Sequence, residues 1–387
     1  MYITRRKTRQ IQVGSVKIGG GAPISVQSMT VPHPGHVKET VAQIRQLEQA
    51  GCELIRVAVP DREAASALPR IKAEMTVPLI ADVHFDYRLA VQAAKTADCV
   101  RINPGNIGPW WKVQEIVKAV TDYGIPLRIG VNGGSLERPL LEKYGYPTAE
   151  ALVESALNAV RALEDIGFTN MKVSLKASDI HTAVDAYWMF AQQADYPLHL
   201  GITEAGTAMT GAVKSAIGIG WLLTQGIGDT IRVSLAADPV EEVRVGFEIL
   251  KALELRHRGV NVIACPTCGR VEIDVIRMAN ELEKRLSHIR APLNVSVLGC
   301  VVNGIGEGKE ADVGIAGGQG MGILFKKGKL VRKVRSEELI DRLVEEVELL
   351  AKNHEAPAPS STGATQLTAL PENPSIPSRR ELPMLPF

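Results

Sequence analysis

Short runs of β-branched and other apolar residues recur through the first two-thirds of the chain, each followed by a stretch with apolar positions three and four apart. The runs are Ile24–Met29, Leu54–Val59, Leu79–Val83, Cys99–Asn103, Leu127–Val131, Met171–Leu175, Leu198–Thr203 and Ile231–Leu235. Between them lie amphipathic stretches such as Val37–Ala50, Trp110–Asp122, Ala149–Asp165, Ala212–Thr224 and Val240–Leu255. A strand buried on both faces reads as a continuous apolar run, and a helix packed on a sheet shows the 3.6-residue period. Strict alternation of the two implies a parallel sheet. Eight such units before residue 257 predict an α/β fold with an N-terminal (β/α)8 TIM-type barrel over residues 1–256. A doubly wound sheet is the competing architecture, and the count of eight favours the barrel.

The pattern then changes. His257–Asn261 reads as a linker, and Val262–Ile263 leads into Cys265-Pro-Thr-Cys-Gly-Arg270. A helix over about Val271–Leu286, strands at Leu293–Leu298, Asp312–Ala316 and Gly322–Lys326, a turn at Lys327-Gly328-Lys329 and a helix at Glu337–Lys352 predict a small α+β domain over residues 257–354. Residues 355–387 are rich in Pro, Ser and Thr without apolar periodicity, so a disordered tail is expected there.

Charge narrows the function. With 44 Lys and Arg against 43 Asp and Glu, the net charge of +1 leaves no electrostatic footprint for nucleic acid or an anionic membrane. Aromatic residues make up 4%, too few for base-stacking platforms. No stretch reaches the roughly 18 apolar residues of a membrane span, and the basic N-terminus lacks the apolar core of a secretory signal. Five cysteines do not form an even disulfide framework, so a reducing, cytoplasmic setting is expected and clustered cysteines read first as metal ligands.

The chemistry-bearing residues stand at the C-terminal ends of the predicted strands: Gln27 and Ser28, Arg56, Asp82 and His84, Arg101 and Asn103, Arg128 and Asn132, Lys172, Ser174 and Lys176, Glu204, Arg232 and Ser234. Side chains two apart on a strand share a face, and that rim of a barrel is where catalytic groups are placed. Four arginines and a lysine on one mouth repel one another unless an anion sits among them. Guanidinium forks match phosphate oxygens bidentately, so a phosphate or diphosphate substrate is the natural counter-charge. Asp82 and Glu204 offset part of the charge and can orient hydroxyls or move protons. Any one of these cations could equally be paired outside the barrel, but for the whole set that is the poorer account.

The second constellation is sharper. Cys265 and Cys268, two residues apart, can present both thiolates from one turn, and Cys300 follows a strand in Gly299-Cys-Val-Val-Asn-Gly-Ile-Gly-Glu307. Cys52 and Cys99 sit in apolar runs and read as small buried residues. Three thiolates suit an iron–sulfur cluster, or a zinc site short of one ligand. Spacing leaves the fourth ligand open among Glu307, Glu310 and Asp312, with His257 and His288 near enough for zinc. A carboxylate on iron would yield to a substrate oxygen more readily than a fourth thiolate, which hints at catalysis. The zinc alternative would make the protein a redox-neutral barrel lyase or transferase acting on a phosphorylated substrate. A non-enzymatic iron–sulfur sensor would not need polar groups on nearly every strand end.

Cys265-Pro-Thr-Cys-Gly-Arg270 together with Gly299-Cys-Val-Val-Asn-Gly-Ile-Gly-Glu307 closely resembles the 4-hydroxy-3-methylbut-2-enyl diphosphate synthase family of isoprenoid biosynthesis, in its bacterial two-domain form. The resemblance runs from about Arg5 to Lys352 and includes Val26-Gln-Ser-Met-Thr30, Asp82-Val-His-Phe85, Val100-Arg-Ile-Asn-Pro-Gly105, Arg128-Ile-Gly-Val-Asn132 and Ile231-Arg-Val-Ser234. It implies a [4Fe–4S] cluster held by Cys265, Cys268, Cys300 and Glu307. It also implies reductive opening and dehydration of 2-C-methyl-D-erythritol 2,4-cyclodiphosphate, the penultimate step of the non-mevalonate pathway, with flavodoxin or ferredoxin supplying two electrons. By the same resemblance Arg56, Arg101, Arg128, Lys172 and Arg232, with Asn103, Asn132 and Ser234, would bind the diphosphate, and Asp82 and Glu204 would be acidic active-site groups. Members are typically homodimers in which one subunit's cluster domain closes over its partner's barrel.

Overall fold

Eight short parallel strands, each delivering its chain to a helix, make the first of two units in this computed structural model, which describes residues 3–300, 308–318 and 320–355. The units divide between Arg258 and Gly259. An antiparallel hairpin, β1 (Gln10–Val13) and β2 (Val16–Gly19), precedes the barrel strands. These are β3 (Ser25–Met29), β4 (Leu54–Ala58), β5 (Leu79–Asp82), β6 (Cys99–Ile102), β7 (Leu127–Asn132), β8 (Met171–Lys176), β9 (His199–Leu200) and β10 (Thr230–Ile231). Hydrogen bonding runs in the order β8-β7-β6-β5-β4-β3-β10-β9, and a bridge from Val173 to Leu198 joins β8 to β9 and completes the ring. The predicted barrel is therefore present.

The intervening helices are α1 (Val37–Ala50), α2 (Arg62–Lys72), α3 (Tyr87–Ala94), α4 (Pro104–Ile107), α5 (Trp110–Asp122), α6 (Arg138–Tyr144), α7 (Ala149–Asp165), α8 (Ile180–Ala191), α9 (Ala208–Thr224) and α10 (Pro239–Ala252). Their starts follow from local chemistry. The side chains of Asp61, Asp86, Thr148, Asp179 and Asp238 each accept a hydrogen bond from a first-turn amide of the helix that follows. The inner faces of the helices and the outward residues of the strands merge into one apolar core.

The barrel floor is closed by the hairpin. Ile11, Val13 and Ile18 pack on Leu54, Ile80 and Cys99, which lie at the N-terminal ends of β4, β5 and β6. Gly14 makes the tight turn, with φ of 53° and Pro78 and Asp98 so close that a Cβ would collide with them. Sequence pattern alone gave no hairpin here, because Ile11 and Val13 follow a basic stretch and make too short an alternation.

Two predicted strands are much shorter than expected: Leu198–Thr203 is reduced to His199–Leu200, and Ile231–Leu235 to Thr230–Ile231. Gly201 explains part of this, since a Cβ there would lie 2.7 Å from the Arg232 carbonyl oxygen and 2.8 Å from Lys176 Nζ. The chain leaves the ladder where it must make room for side chains inside.

The second unit has a five-stranded sheet in the order β11 (Val260–Ala264), β12 (Leu293–Leu298), β13 (Val313–Ala316), β14 (Met321–Lys326) and β15 (Lys329–Arg335). The first three strands are parallel and the last two antiparallel. Helices α11 (Val275–Leu286) and α12 (Leu339–Glu355) cover one face around Val295, Val297, Val313, Ile315 and Leu324. β11 occupies part of the expected linker, and β15 extends what read only as a turn. The expected tail beyond Glu355 lies outside the described residues. Among the described residues no helix is long and apolar enough to cross a membrane.

Candidate active site

The barrel interior concentrates buried cations. Asp82, Arg101, Arg128 and Lys172 are register partners on β5, β6, β7 and β8, so their side chains enter the same lumen. All four are buried, as are Arg56, Lys176 and His199.

Asp82 is the hub of one half. Its Oδ1 lies 2.9 Å from Arg101 Nη1, and its Oδ2 lies 3.5 Å from Arg56 Nη1 and 3.6 Å from His84 Nε2. Burial by itself would push the carboxyl up, but Arg56, Arg101 and His84 together outweigh it and hold Asp82 well below the usual carboxylate range. Gly130 gives the Arg101 guanidinium its space, since a Cβ there would sit 2.4 Å from Nε. With its amide oxygen turned inward, Asn132 accepts from Arg101 Nη2 at 3.0 Å. Asn103 serves the loop instead, accepting from the Gly105 amide and donating to Ser135 Oγ at 2.8 Å.

Glu242, in the first turn of α10, is the hub of the other half. It takes Arg232 in a two-pronged ion pair, Nη2 to Oε1 at 3.0 Å and Nε to Oε2 at 3.2 Å. Ser28 Oγ and the Leu235 amide also donate to it, at 2.8 and 3.0 Å. Arg232 Nη1 in turn donates to Ser234 Oγ at 2.7 Å. Sequence reasoning missed Glu242 because Pro239-Val-Glu-Glu242 reads as an ordinary acidic helix start. The signal was Arg232 itself, a half-buried cation needing a counter-charge.

Between these hubs the cations have no carboxylate. Arg128 donates only to Ser174 Oγ, at 2.9 and 3.2 Å, and leaves Nη1 without a partner among the described residues. Lys172 Nζ and both ring nitrogens of His199 are likewise buried without a partner there. Desolvation, then the neighbouring cations, drives Arg128, Lys176 and His199 well below their ordinary values. Burial lowers Lys172 to about 8, against a smaller opposing effect of Cys99. Lys176, the last residue of β8, stands closer to the mouth than Lys172, four residues earlier on the same face. Strand alternation identified the face but not the depth.

Glu204 stands apart from this network. It is exposed on the loop after β9 and held at φ of 53°, a left-handed conformation that costs a non-glycine residue of order 1 kcal/mol.

An unbalanced set of buried cations predicts an anion ligand and a defined pH response. Lys172 loses its proton as pH rises through about 8, whereas a bound dianion would draw the proton back. Binding of sulfate, a dianion that does not itself titrate in this range, should therefore weaken as pH is raised from about 7 to 9 and be accompanied by proton uptake. Calorimetry in two buffers of different ionisation heat measures that uptake, and equal apparent heats at pH 8 to 9 would contradict the assignment.

The cysteines lie on adjacent strand ends of the second unit. Cys265 follows β11, and its amide donates to the Val297 carbonyl of β12 at 3.2 Å. The Gly299 amide donates to Cys265 Sγ at 3.1 Å, which places that sulfur beside the start of Gly299–Cys300. Amide donation to sulfur is how proteins stabilise metal-bound thiolates, and a set of three thiolates suits iron. Cys268 is exposed on the same turn and Cys300 half-buried. Among the described residues no three His, Cys, Asp or Glu side chains are gathered closely enough to hold a metal ion, and Glu307 lies outside the described residues. Burial raises the thiols of Cys52 to about 12 and of Cys99 to about 11, as expected of inert core residues.

Comparison with known proteins covers both units. The family profile described as GcpE TIM-barrel domain matches residues 8–247, and that described as GcpE protein C-terminal domain matches residues 261–349. A Symbiobacterium thermophilum protein is 56% identical over 362 residues, 93% of this chain and 98% of its own. A Geobacter sulfurreducens protein is 58% identical over 352 residues, 90% and 100%, and a Bacillus subtilis protein 54% identical over 353 residues, 91% and 94%. All three carry the name 4-hydroxy-3-methylbut-2-en-1-yl diphosphate synthase (flavodoxin).

Proposed function

This chain belongs to the GcpE family, and from that membership we propose that it catalyses the reaction for which its relatives are named, formation of 4-hydroxy-3-methylbut-2-en-1-yl diphosphate with flavodoxin as electron donor. The substrate is 2-C-methyl-D-erythritol 2,4-cyclodiphosphate, the reaction being the penultimate step of the non-mevalonate route. Two electrons and two protons enter, the cyclic diphosphate opens at carbon, and one water leaves. The observation that carries this reading is the set of buried, uncompensated cations inside the barrel, which demands a polyanionic ligand.

The residues divide the work. Arg56, Arg101, Arg128, Lys176 and Arg232 hold the diphosphate, and Asp82 and Glu242 aim three of these forks before substrate arrives. As the C–O bond breaks, charge accumulates on the departing phosphate oxygen, and the fixed guanidinium groups neutralise it without reorganising. Lys172 and His199 lie deeper, where Lys172 adds charge to the lumen. Glu204, strained and solvent-facing, can deliver the proton with which the departing hydroxyl leaves as water. Cys265, Cys268 and Cys300, with Glu307 as the family resemblance implies, would hold a [4Fe–4S] cluster that supplies single electrons. A cytoplasmic setting goes with this reading, because iron-bound thiolates need a reducing compartment. A homodimer also belongs to it: Met209, Val213, Ile217 and Trp221, spaced four apart on α9, expose an apolar stripe that a second copy would cover.

The test is anaerobic purification with iron and acid-labile sulfide determined per chain, followed by turnover of the cyclodiphosphate with reduced flavodoxin. Iron and sulfide near four per chain, the allylic diphosphate as product and a dimeric mass are expected. Zinc without sulfide and no reduced product would favour the redox-neutral barrel enzyme instead.

A further inference from the structure

One segment breaks the charge balance of the chain. Residues 326–335, Lys-Lys-Gly-Lys-Leu-Val-Arg-Lys-Val-Arg, place six cations in ten positions of a protein whose total is +1. They form the end of β14, the turn and β15, the edge strand of the second unit. Every residue of β15 except Val334 is exposed, and Leu330 and Val331 expose 60% and 46% of their surface among the lysines and arginines. Lys309 adds a seventh cation by packing over Gly328 in the turn.

Local carboxylates do not consume this charge. Lys326 and Arg332 share Glu346, the latter at 4.0 Å, and Arg335 pairs with Glu338. Lys327, Lys329 and Lys333 have no ion pair among the described residues. Of the nearby acids, Asp312 accepts from the Asn294 amide and Glu310 shares the turn of Lys309. The patch is also wired to the cysteine end of the sheet. Lys333 is opposite Ile323, Ile323 opposite Ala316, and Ala316 opposite Leu298, two residues before Cys300. Three strand spacings of about 4.8 Å make that separation about 14 Å.

We propose that the β14–β15 hairpin is the docking surface for the acidic protein that delivers electrons to this chain. Unpaired lysines around a small apolar centre have the composition of a transient interface, a charged rim about an apolar middle. Opposite charge on the carrier would speed encounter more than it tightens the complex, which suits a carrier that must arrive, give up one electron and leave, twice per substrate. Edge lysines also keep sheets from pairing with other chains. Glutamates at the same positions would do that equally well, so charge reversal separates the two roles. An absence of exposed aromatic side chains from β15 makes single-stranded nucleic acid the poorer occupant.

The proposal rests on the flavodoxin-dependent reading above, and the test keeps the two apart. The full-length holoprotein and its Lys327→Glu/Lys329→Glu/Lys333→Glu variant are compared in three assays: turnover with reduced flavodoxin at low and high salt, turnover with a small reductant such as dithionite-reduced methyl viologen, and calorimetric binding of oxidised flavodoxin. The variant should show a KM for flavodoxin raised about tenfold at low salt, a flattened salt dependence and weakened binding, with the small-reductant rate unchanged. The Lys→Gln triple variant should fall between. Unchanged flavodoxin KM and binding would overturn the docking assignment. Failure of the unsubstituted chain to turn over with either reductant would overturn the functional reading, while the binding assay would still decide the docking surface.

Discussion

Asp82→Asn should cost the barrel about 3–5 kcal/mol, the penalty for stranding buried charges when one partner of an ion pair is removed. The side chain is 4% exposed and is the carboxylate shared by Arg56 and Arg101. Its loss removes the carboxylate nearest both guanidiniums, Arg56 being already lowered to about 10 by burial and by the neighbouring Arg232 and Arg101. Against a typical total of about 5–15 kcal/mol the effect is large. Denaturant midpoints should fall at unchanged slope. Two further readouts separate the electrostatic cause from simple misfit. The folded pKa of Asp82 is depressed, so its stabilisation is present above the usual carboxylate range and lost as pH falls through the native value. The variant should therefore have a flatter stability curve in acid. Inorganic diphosphate should also raise the melting temperature of the variant more than that of the parent, because the anion then becomes the main counter-charge. A variant as stable as the parent, with no extra response to diphosphate, would remove Asp82 from the centre of the network.

Cys300→Ser should abolish reductive turnover while leaving the barrel untouched. Serine keeps the size of the side chain but is a poor ligand for iron, so iron and sulfide should drop and the broad visible absorption should vanish. Because Cys300 belongs to the second unit, diphosphate affinity of the barrel should stay within about twofold of the parent. Cys52→Ser provides the contrast: that thiol is buried and raised to about 12, and its replacement should leave iron content unchanged. Full iron with Cys300→Ser would take that residue out of the ligand set.

The fold was legible where local and long-range signals coincide. α1, α5 and α7 have the limits that their apolar periodicity predicts, and α7 has Thr148 as its cap. It was illegible where tertiary space decides. The predicted strands Leu198–Thr203 and Ile231–Leu235 contribute only two and one residues to the ladder, in part because the space beside Gly201 is taken by the Arg232 carbonyl and Lys176. The same limit governs the site. Two-residue spacing put Arg101 with Asn103 and Lys172 with Ser174 on shared faces, but could not tell that Lys172 lies deep and Lys176 near the rim. Glu242 was hidden because its partner Arg232 is ten residues away across a turn, a pairing that no short motif records. The cysteine turn was read from spacing alone, and the structure adds to it the Gly299 amide donating to Cys265 Sγ.

The hairpin under the barrel has a kinetic consequence. With Ile11, Val13 and Ile18 sealing the floor, the lumen is a cup with a single opening rather than a passage. Whatever enters must back out by the way it came, so spent ligand and fresh ligand exclude each other. The product, keeping the diphosphate but not the ring, should therefore compete with substrate for the same buried cations at that one opening.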